Sequence, residues 1–273
     1  MKLIHGDCLD KLKDLSKNSV DIVIADLPYS RFKHLDWDKP IDLKKMWKEL
    51  NRVCKKTTPI FLFGDMKFGV ELINSNPKHF KYEIVWNKMK STTPLLSKKR
   101  LGKATEYIFI FYQKQPFYNY AEYHQKNKRA KIYKNGSFVG AAPIKKQTHY
   151  YTPSLPINVI DQKIKPHIKY QGRGNEPMWL PRLPLNIIEC SKGIRKHKII
   201  KHITEKPQQV LEFLLKYFSK EGDVCLDFCM GSGSCGVACN TLNRDFIGIE
   251  KKKEHFLAAK ERLSKYQSIK ADF

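Results

Sequence analysis

The ten residues VDIVIADLPY (20–29) decide the fold class. An apolar run leads into Asp26-Leu27-Pro28-Tyr29, which puts a carboxylate and an aromatic ring at the carboxyl end of a predicted buried strand. Open α/β sheets bind and transform ligands at the carboxyl ends of their strands. The stretch therefore predicts an α/β protein with a functional site at this edge of its sheet.

A second stretch, DVCLDFCMGSGSCG (223–236), has the pattern of a strand, a glycine-rich turn and a helix. Gly231, Gly233 and Gly236 spell GxGxxG, a turn whose backbone can approach an adenosine-containing cofactor closely. Glu250 ends the next predicted strand, where it can accept hydrogen bonds from ribose hydroxyls. The pattern suits a dinucleotide as well as S-adenosylmethionine. A dehydrogenase, however, would place it at the start of a domain and would need a hydride-transfer site, which the sequence does not offer.

Strands and helices alternate around these two stretches, as in a doubly wound sheet. Buried strands are predicted at 2–7, 21–26, 58–65, 82–88, 106–114, 224–228 and 246–250. Apolar residues at helical spacing predict helices across 8–15, 43–54 and 207–218, and a closing helix around Phe256, Ala259 and Leu263. A further helix is predicted to follow the glycine-rich turn and to run to about Asn243. Pro207 is expected at the first helical position of its helix.

Positive charge dominates the chain and is concentrated in one segment. Lys and Arg number 51 against 27 acidic residues, a formal net charge of +24. Residues 113–201 hold 18 of the basic and four of the acidic residues, interleaved with tyrosines and Trp179. This mixture suits phosphate contacts and base stacking, so nucleic acid is the expected partner. The alternatives are a lysine excess from AT-rich codon usage and a solvated insertion without a partner.

Cysteine usage favours reduced thiols. The chain has seven cysteines, an odd number, and no signal peptide is recognisable, so disulfides are not expected. Four of them, Cys225, Cys229, Cys235 and Cys239, straddle a predicted strand, turn and helix rather than paired zinc knuckles, which favours small buried residues over a metal site. Because no apolar run reaches the roughly 20 residues that span a bilayer, no membrane association is expected.

Taken in this order, DLPY and the glycine motif resemble the β class of amino-methylating DNA methyltransferases, in which DPPY precedes FxGxG. Further segments match in family order: IHGDC (4–8), HITEKP (202–207), similar to HPTEKP, and LDFCMGSG (226–233). The resemblance covers roughly residues 1–114 and 202–266. It implies a class I S-adenosylmethionine-dependent methyltransferase fold, a Rossmann-like α/β fold with a mostly parallel seven-stranded sheet, circularly permuted. Residues 1–114 are then the catalytic half, 115–201 an inserted target-recognition region and 202–273 the cofactor-binding half.

The resemblance implies that the catalytic residues are Asp26, Leu27, Pro28 and Tyr29. The carboxylate of Asp26 and a backbone carbonyl of the tetrapeptide would accept hydrogen bonds from the two N–H groups of a target amine. Tyr29 would stack on a base flipped out of the helix. Leu27 replaces the usual proline, which restores a backbone N–H and keeps the carbonyl that the chemistry would use. Activity is therefore expected, and no metal is required.

The resemblance also implies a binding site for S-adenosylmethionine. Its residues would be Asp7, Cys8, Asp26, Thr204, Lys206, Asp227, Phe228, Gly231, Ser232, Gly233 and Glu250. In this assignment Asp7 and the Cys8 backbone contact adenine, Lys206 and Thr204 hold the methionine carboxylate, and Asp227 meets the methionine ammonium.

The expected reaction is methyl transfer to the N6 amine of adenine in double-stranded DNA, because in this family Asp rather than Ser at the first position of the tetrapeptide favours adenine. N4-cytosine methylation, RNA N6-adenine methylation and an inactive DNA-binding module stay as alternatives. The family implies restriction-modification, a homodimer as one expected state, and a cytoplasmic, nucleoid-associated location in bacteria or a virus of bacteria. The recognition sequence cannot be read from these residues.

Overall fold

The computed structural model describes residues 1–28, 39–88, 99, 103–119 and 205–271, with the backbone of three short strands at 131–132, 138–139 and 187–189. Tyr29, His202 and Thr204 and most of the basic segment lie outside the described residues. The chain divides into two units, Met1–Asn119 with Asn186–Phe273, and Tyr120–Leu185.

The strands are β1 (Lys2–His5), β2 (Ile22–Asp26), β3 (Ile60–Gly64), β4 (Phe80–Asn87), β5 (Thr105–Phe111), β6 (Lys131–Ile132), β7 (Phe138–Val139), β8 (Ile187–Glu189), β9 (Val224–Asp227) and β10 (Asp245–Glu250). The helices are α1 (Cys8–Lys11), followed by a 3-10 turn (Leu12–Asp14), α2 (Leu43–Val53), α3 (Met66–Ser75), α4 (Gln208–Phe218), α5 (Ser234–Thr241) and α6 (Lys253–Ala271).

Eight strands of the described chain form one sheet in the order β1-β10-β9-β2-β3-β5-β4-β8. All are parallel except β5, which runs antiparallel to both β3 and β4. The first seven confirm the predicted mostly parallel seven-stranded sheet. Strand β8 lies inside the predicted insertion and pairs with β4 at the sheet edge. In the second unit, the described backbone is the antiparallel pair β6 and β7.

Strands β9 and β2 are parallel, hydrogen-bonded neighbours, and the strands that follow them along the chain are added in opposite directions across the sheet. Helix α2 connects β2 to β3 on one side, while α5 connects β9 to β10 on the other. Diverging connections open a crevice at the carboxyl ends of such a strand pair, and ligands of open α/β sheets bind there. The topology therefore places the candidate site beside the ends of β2 and β9.

Helix α3 was not predicted from the sequence. It begins after Asp65, whose carboxylate accepts a hydrogen bond from the Phe68 N–H at 3.1 Å. Gly69 interrupts its apolar pattern, and the structure explains the glycine, because a Cβ there would lie 1.9 Å from the Phe109 ring. The glycine lets α3 approach β5 closely at the expense of helix propensity.

Helix α4 begins one residue later than expected. Pro207 is the N-cap, with an extended backbone (φ −61°, ψ 139°), rather than the first helical residue. The predicted apolar face is buried, and α5 ends at Thr241 rather than near 243. None of the helices in the described residues is long and apolar enough to cross a membrane.

Candidate active site

Four acidic residues stand at one edge of the sheet. Asp7 closely follows β1, and Glu250, Asp227 and Asp26 end β10, β9 and β2. These strands are parallel neighbours in that order, so their carboxyl ends meet at the same edge. Asp26 and Asp227 flank the crevice between β2 and β9, where ligand binding is expected.

Asp26 is held by a lysine from the other half of the chain. The Nζ atom of Lys206 lies 2.5 Å from Asp26 Oδ2, and the Lys206 side chain is 9% exposed. The same ammonium lies 5.0 Å from the centre of the Phe63 ring at the end of β3, a cation–π distance. The Asp26 side chain is 25% exposed, although its Oδ1 atom is buried.

Glu106 and Lys88 extend this pair, although neither was identified from the sequence. Glu106 lies in β5 and forms ion pairs with both lysines: its Oε1 lies 3.0 Å from Lys206 Nζ, and its Oε2 lies 2.5 Å from Lys88 Nζ. Burial by itself raises the pKa of Glu106, but the two ammonium groups outweigh it and lower the pKa to about 2. Glu106 is therefore ionised at any ordinary pH. The reversed direction of β5 brings its first residues to the edge where β2 and β3 end.

The glycine-rich turn is fastened by Glu250. Gly231 and Gly233 have φ values of 50° and 75°, which glycine adopts without strain. The Gly231 N–H donates to Glu250 Oε2 at 3.0 Å, and the Lys252 N–H donates to Oε1 at 2.8 Å. The predicted ribose acceptor thus also ties the end of β10 to the turn.

Asp227 is buried at the end of β9, where it accepts a hydrogen bond from the Cys229 N–H at 3.1 Å. Burial raises the pKa of Asp227 well above its usual range, and the negative charges of Asp26 and Glu250 add to this effect. A buried carboxylate in this condition is matched best by a cation from a bound ligand.

Asp7 caps helix α1 by accepting a hydrogen bond from the Leu9 N–H at 2.9 Å. Its second oxygen lies 3.1 Å from Lys251 Nζ, and the neighbouring Cys8 is buried. Leu27 is 2% exposed and belongs to the hydrophobic core, which explains an apolar residue at this position. Its side chain cannot reach a ligand, so the tetrapeptide can contribute only backbone there.

Arg262 on α6 is a further residue that sequence reasoning missed. Its Nη1 donates to Glu205 Oε1 at 2.6 Å and to the carbonyl of Ser232 at 3.3 Å. Phe228 and Ser232 are buried at the same turn. Arg262 therefore ties the segment that carries Lys206 to the glycine-rich turn. No sequence motif signals this role, because a surface helix offers many equivalent arginines and lysines.

Solved methyltransferase structures share this fold. One is the crystal structure of an M1.HpyAVI–S-adenosylmethionine complex (TM-score 0.56, 22% identity, 96% of this chain and 98% of that chain). Another is the PvuII DNA methyltransferase, described as cytosine-N4-specific (TM-score 0.63, 13% identity, 97% and 90% covered). The class I methyltransferase fold predicted from the sequence is confirmed.

Comparison of the sequence with known proteins identifies the family of this chain. The DNA adenine methyltransferase YhdJ of Escherichia coli (strain K12) is 26% identical over 273 residues, which cover 96% of this chain and 82% of that protein. A family model described as "DNA methylase", N6_N4_Mtase, matches residues 20–261. S-adenosylmethionine, the expected cofactor, is confirmed as the cofactor of this family. The chain therefore belongs to the N6/N4 family of DNA methylases.

Proposed function

We propose that this chain transfers a methyl group from S-adenosylmethionine to the N6 amine of adenine in double-stranded DNA, with the target base flipped out of the helix. The observation that carries the proposal is the position of Asp26, whose partly exposed side chain ends β2 beside the crevice and is paired with Lys206. An acid at this position favours adenine in this family. The relative YhdJ, named as an adenine methyltransferase, supports the same base.

The residues at the sheet edge fit S-adenosylmethionine. The cofactor carries an ammonium, two ribose hydroxyls and an adenine ring, and the edge supplies a carboxylate for each of these three groups. Asp227 suits the ammonium, because its buried carboxylate has a raised pKa that a cation would relieve. Glu250 suits the ribose and Asp7 the adenine. Phe228, Gly231, Ser232 and Gly233 would line the pocket, with the Cys8 backbone and Thr204 as further contacts.

Lys206 is proposed to contact both the protein's carboxylates and the bound cofactor. Its ammonium lies at hydrogen-bond distance from Asp26 and Glu106. The family assignment adds the methionine carboxylate as a third partner. A lysine in this place would join the bound cofactor to the carboxylate that receives the target amine.

The proposed chemistry rests on hydrogen-bond acceptors. The exocyclic amine of adenine is a poor nucleophile, because its lone pair is delocalised into the ring. Asp26 and a backbone carbonyl of Leu27 or Pro28 would accept hydrogen bonds from its two N–H groups. These hydrogen bonds would draw the nitrogen toward a tetrahedral geometry. When bound, the cofactor would supply the electrophilic methyl group: the N–C bond would form as the S–C bond breaks, a neutral thioether would leave, and the proton lost by the amine would pass to Asp26 or to water. Asp26 and Lys206 then accelerate transfer by positioning and electrostatics, and Tyr29 stacks on the flipped base.

Residues 115–201 are proposed as the target-recognition region, between the catalytic half (1–114) and the cofactor half (202–273). Their net charge of +13 suits the phosphate backbone of DNA. We further propose that the enzyme acts on cytoplasmic DNA and that a homodimer is one of its states.

N4-cytosine methylation is the second candidate, favoured by the shared fold of the cytosine-N4-specific PvuII enzyme. One experiment separates the candidates. Purified protein is incubated with cofactor carrying a labelled methyl group and with DNA and RNA in competition, and both polymers are digested to nucleosides. Label in N6-methyl-2′-deoxyadenosine from DNA supports the proposal. Label confined to N4-methylcytosine or to RNA contradicts it.

A further inference from the structure

Four charged groups, three of them buried, form a continuous chain at the candidate site. Lys88 Nζ lies 2.5 Å from Glu106 Oε2, Glu106 Oε1 lies 3.0 Å from Lys206 Nζ, and Lys206 Nζ lies 2.5 Å from Asp26 Oδ2. The charges alternate and sum to zero. Lys88, Glu106 and Lys206 have side chains that are 8 to 10% exposed, so solvent screens these contacts weakly.

Glu106 and Asp26 both belong to strands that are paired on each side, so the sheet fixes their backbone positions. Glu106 lies in β5, and Trp86 of β4 stands opposite it. Lys206, in contrast, precedes α4 and ends in an ammonium on a flexible stem, which has no preferred direction of its own. The position of the Lys206 ammonium is therefore set by its anionic partners.

We propose that Glu106 is a positioning residue for methyl transfer. Its carboxylate fixes the Lys206 ammonium, and that ammonium fixes the Asp26 carboxylate that receives the target amine. Lys88 balances the charge of Glu106. The inference rests on the proposed function, since it gives Asp26 the role of acceptor.

The Glu106→Gln variant keeps the shape of the side chain and removes its charge. Two buried lysines then face one carboxylate, so we expect a lower melting temperature as well as lower turnover. The double variant Glu106→Gln/Lys88→Met removes the surplus charge. We expect the double variant to regain the melting temperature of the wild type. Its kcat should stay about 10- to 100-fold below wild type, because misplacing the Lys206 ammonium and the Asp26 carboxylate by about 1 Å has that cost. The KM for DNA should change little.

Recovery of kcat together with the melting temperature in the double variant would overturn the inference, since Glu106 would then act only through stability. Glu261→Gln removes an equal charge from an exposed pair with Lys265 and should match wild type in both measurements. Asp26→Ala, assayed beside them, separates the two proposals. An active Asp26→Ala contradicts the proposed function, whereas an inactive Asp26→Ala beside a fully active double variant contradicts the role of Glu106 alone.

A different observation concerns three cysteines around the glycine-rich turn. Cys225 lies in β9, and Cys235 and Cys239 lie one turn apart on α5. Their sulfur atoms all lie within 4.8 Å of one another, and Cys225 Sγ is 3.7 Å from Cys235 Sγ. The three side chains are buried, with 0 to 1% exposure.

This arrangement matches three-coordinate binding of a soft ion. With metal–sulfur distances of about 2.3 Å, three sulfur ligands in a plane lie about 4 Å apart, so small side-chain shifts suffice. Cysteine binds soft ions as the thiolate, so binding of an ion here would release the thiol protons. Among the described residues the group holds three ligands, whereas structural zinc sites have four.

We infer that Cys225, Cys235 and Cys239 form a site for monovalent copper, a soft ion that thiolates select. A bound ion would join β9 to α5, the two elements that flank the glycine-rich turn. The sequence alone favoured small buried residues here, because spacing along the chain does not show that the three sulfur atoms converge.

The test titrates cuprous ion into the reduced, oxygen-free full-length protein against a chromophoric chelator. Wild type should bind one ion more than the Cys235→Ala/Cys239→Ala variant. Cys54→Ala, which removes a buried cysteine in a different part of the core, should match wild type. Copper X-ray absorption of the wild type, which needs no variant, should give three sulfur neighbours at about 2.3 Å. Equal binding by the double variant, or two sulfur neighbours, contradicts the site.

Discussion

Lys206 Nζ lies 2.5 Å from Asp26 Oδ2, although 180 residues separate the two along the chain. Asp26 ends β2, and Lys206 precedes α4, which leads into β9. This contact joins the segment that resembles the catalytic motif to the segment that resembles the cofactor motif. Two motifs that are far apart in the sequence therefore meet in one site.

Lys206→Met should impair both turnover and stability. The substitution leaves Asp26 without its 2.5 Å contact and Glu106 with Lys88 alone. Breaking a buried ion pair from one side costs about 3 kcal/mol of unfolding free energy, and turnover should fall about 100-fold. Urea denaturation and steady-state kinetics measure the two effects. Lys216→Met, on the exposed face of α4, is the control and should stay within about 0.5 kcal/mol. Equal behaviour of the two variants would refute the role of Lys206.

Arg262→Met should weaken cofactor binding without changing turnover at saturating cofactor. The guanidinium joins Glu205 to the glycine-rich turn at Ser232, so its loss frees the segment that carries Lys206. A charged hydrogen bond contributes about 1.5–3 kcal/mol, so the dissociation constant should rise about tenfold or more. Calorimetry with S-adenosylmethionine measures it. Lys260→Met on the same helix is exposed and should bind like wild type. A normal dissociation constant for Arg262→Met would show that this contact does not support the pocket.

Asp227→Asn should stabilise the ligand-free protein and weaken cofactor binding. Burial raises the pKa of Asp227 from the ordinary 3.8, so folding favours its protonated form. Its contribution to stability is therefore complete below about pH 4 and is lost as the pH rises toward the folded pKa. Asparagine carries no charge at any pH, so the Asp227→Asn variant does not lose this stability as the pH rises.

At neutral pH, the Asp227→Asn variant should thus gain at least about 1 kcal/mol of unfolding free energy. Its dissociation constant for S-adenosylmethionine should rise more than about tenfold, because the ammonium loses an anionic partner. Denaturation between about pH 4 and 8 and calorimetry supply the two values. A variant with wild-type affinity, or with the same pH dependence of stability as wild type, would remove Asp227 from the proposed ammonium site.

The sequence predicted the main strands and most of the helices, because continuous apolar runs and helical periodicity are local signals. It also identified the two strand ends, Asp26 and Asp227, which the structure places beside one crevice. The sequence did not predict α3, in which Gly69 serves packing against Phe109 rather than helix propensity.

Partners from distant segments could not be predicted. Glu106 lies in a strand with no recognisable motif, and it reaches the site because β5 runs antiparallel to its neighbours. Arg262 lies on a charged helix in which any basic residue would satisfy the pattern. The convergence of Cys225 with Cys235 depends on how α5 packs against β9. Strand direction and helix packing, which set these contacts, leave no local mark in the sequence.

DNA binding should depend steeply on salt. Residues 113–201 carry most of the excess positive charge, and each neutralised phosphate releases a counterion. With about six phosphate contacts, affinity should fall about 1000-fold between about 50 and 200 mM salt. The variant Lys126→Gln/Lys128→Gln/Arg129→Gln should show weaker binding and a shallower salt slope by fluorescence anisotropy.

The control for this series is Lys44→Gln/Lys45→Gln/Lys48→Gln, which removes the same charge from the exposed face of α2. It should bind DNA nearly as wild type does. Affinity that is flat across this salt range, or equal losses in both variants, would contradict a DNA contact through the basic segment.

The most direct test of the central claim is the single-turnover rate of Asp26→Ala at saturating DNA and S-adenosylmethionine, with both binding constants measured on the same preparation. If Asp26 receives the target amine, methyl transfer is abolished while the protein still binds DNA and cofactor. Methyl transfer at the wild-type rate would remove Asp26 from the chemistry and contradict the account.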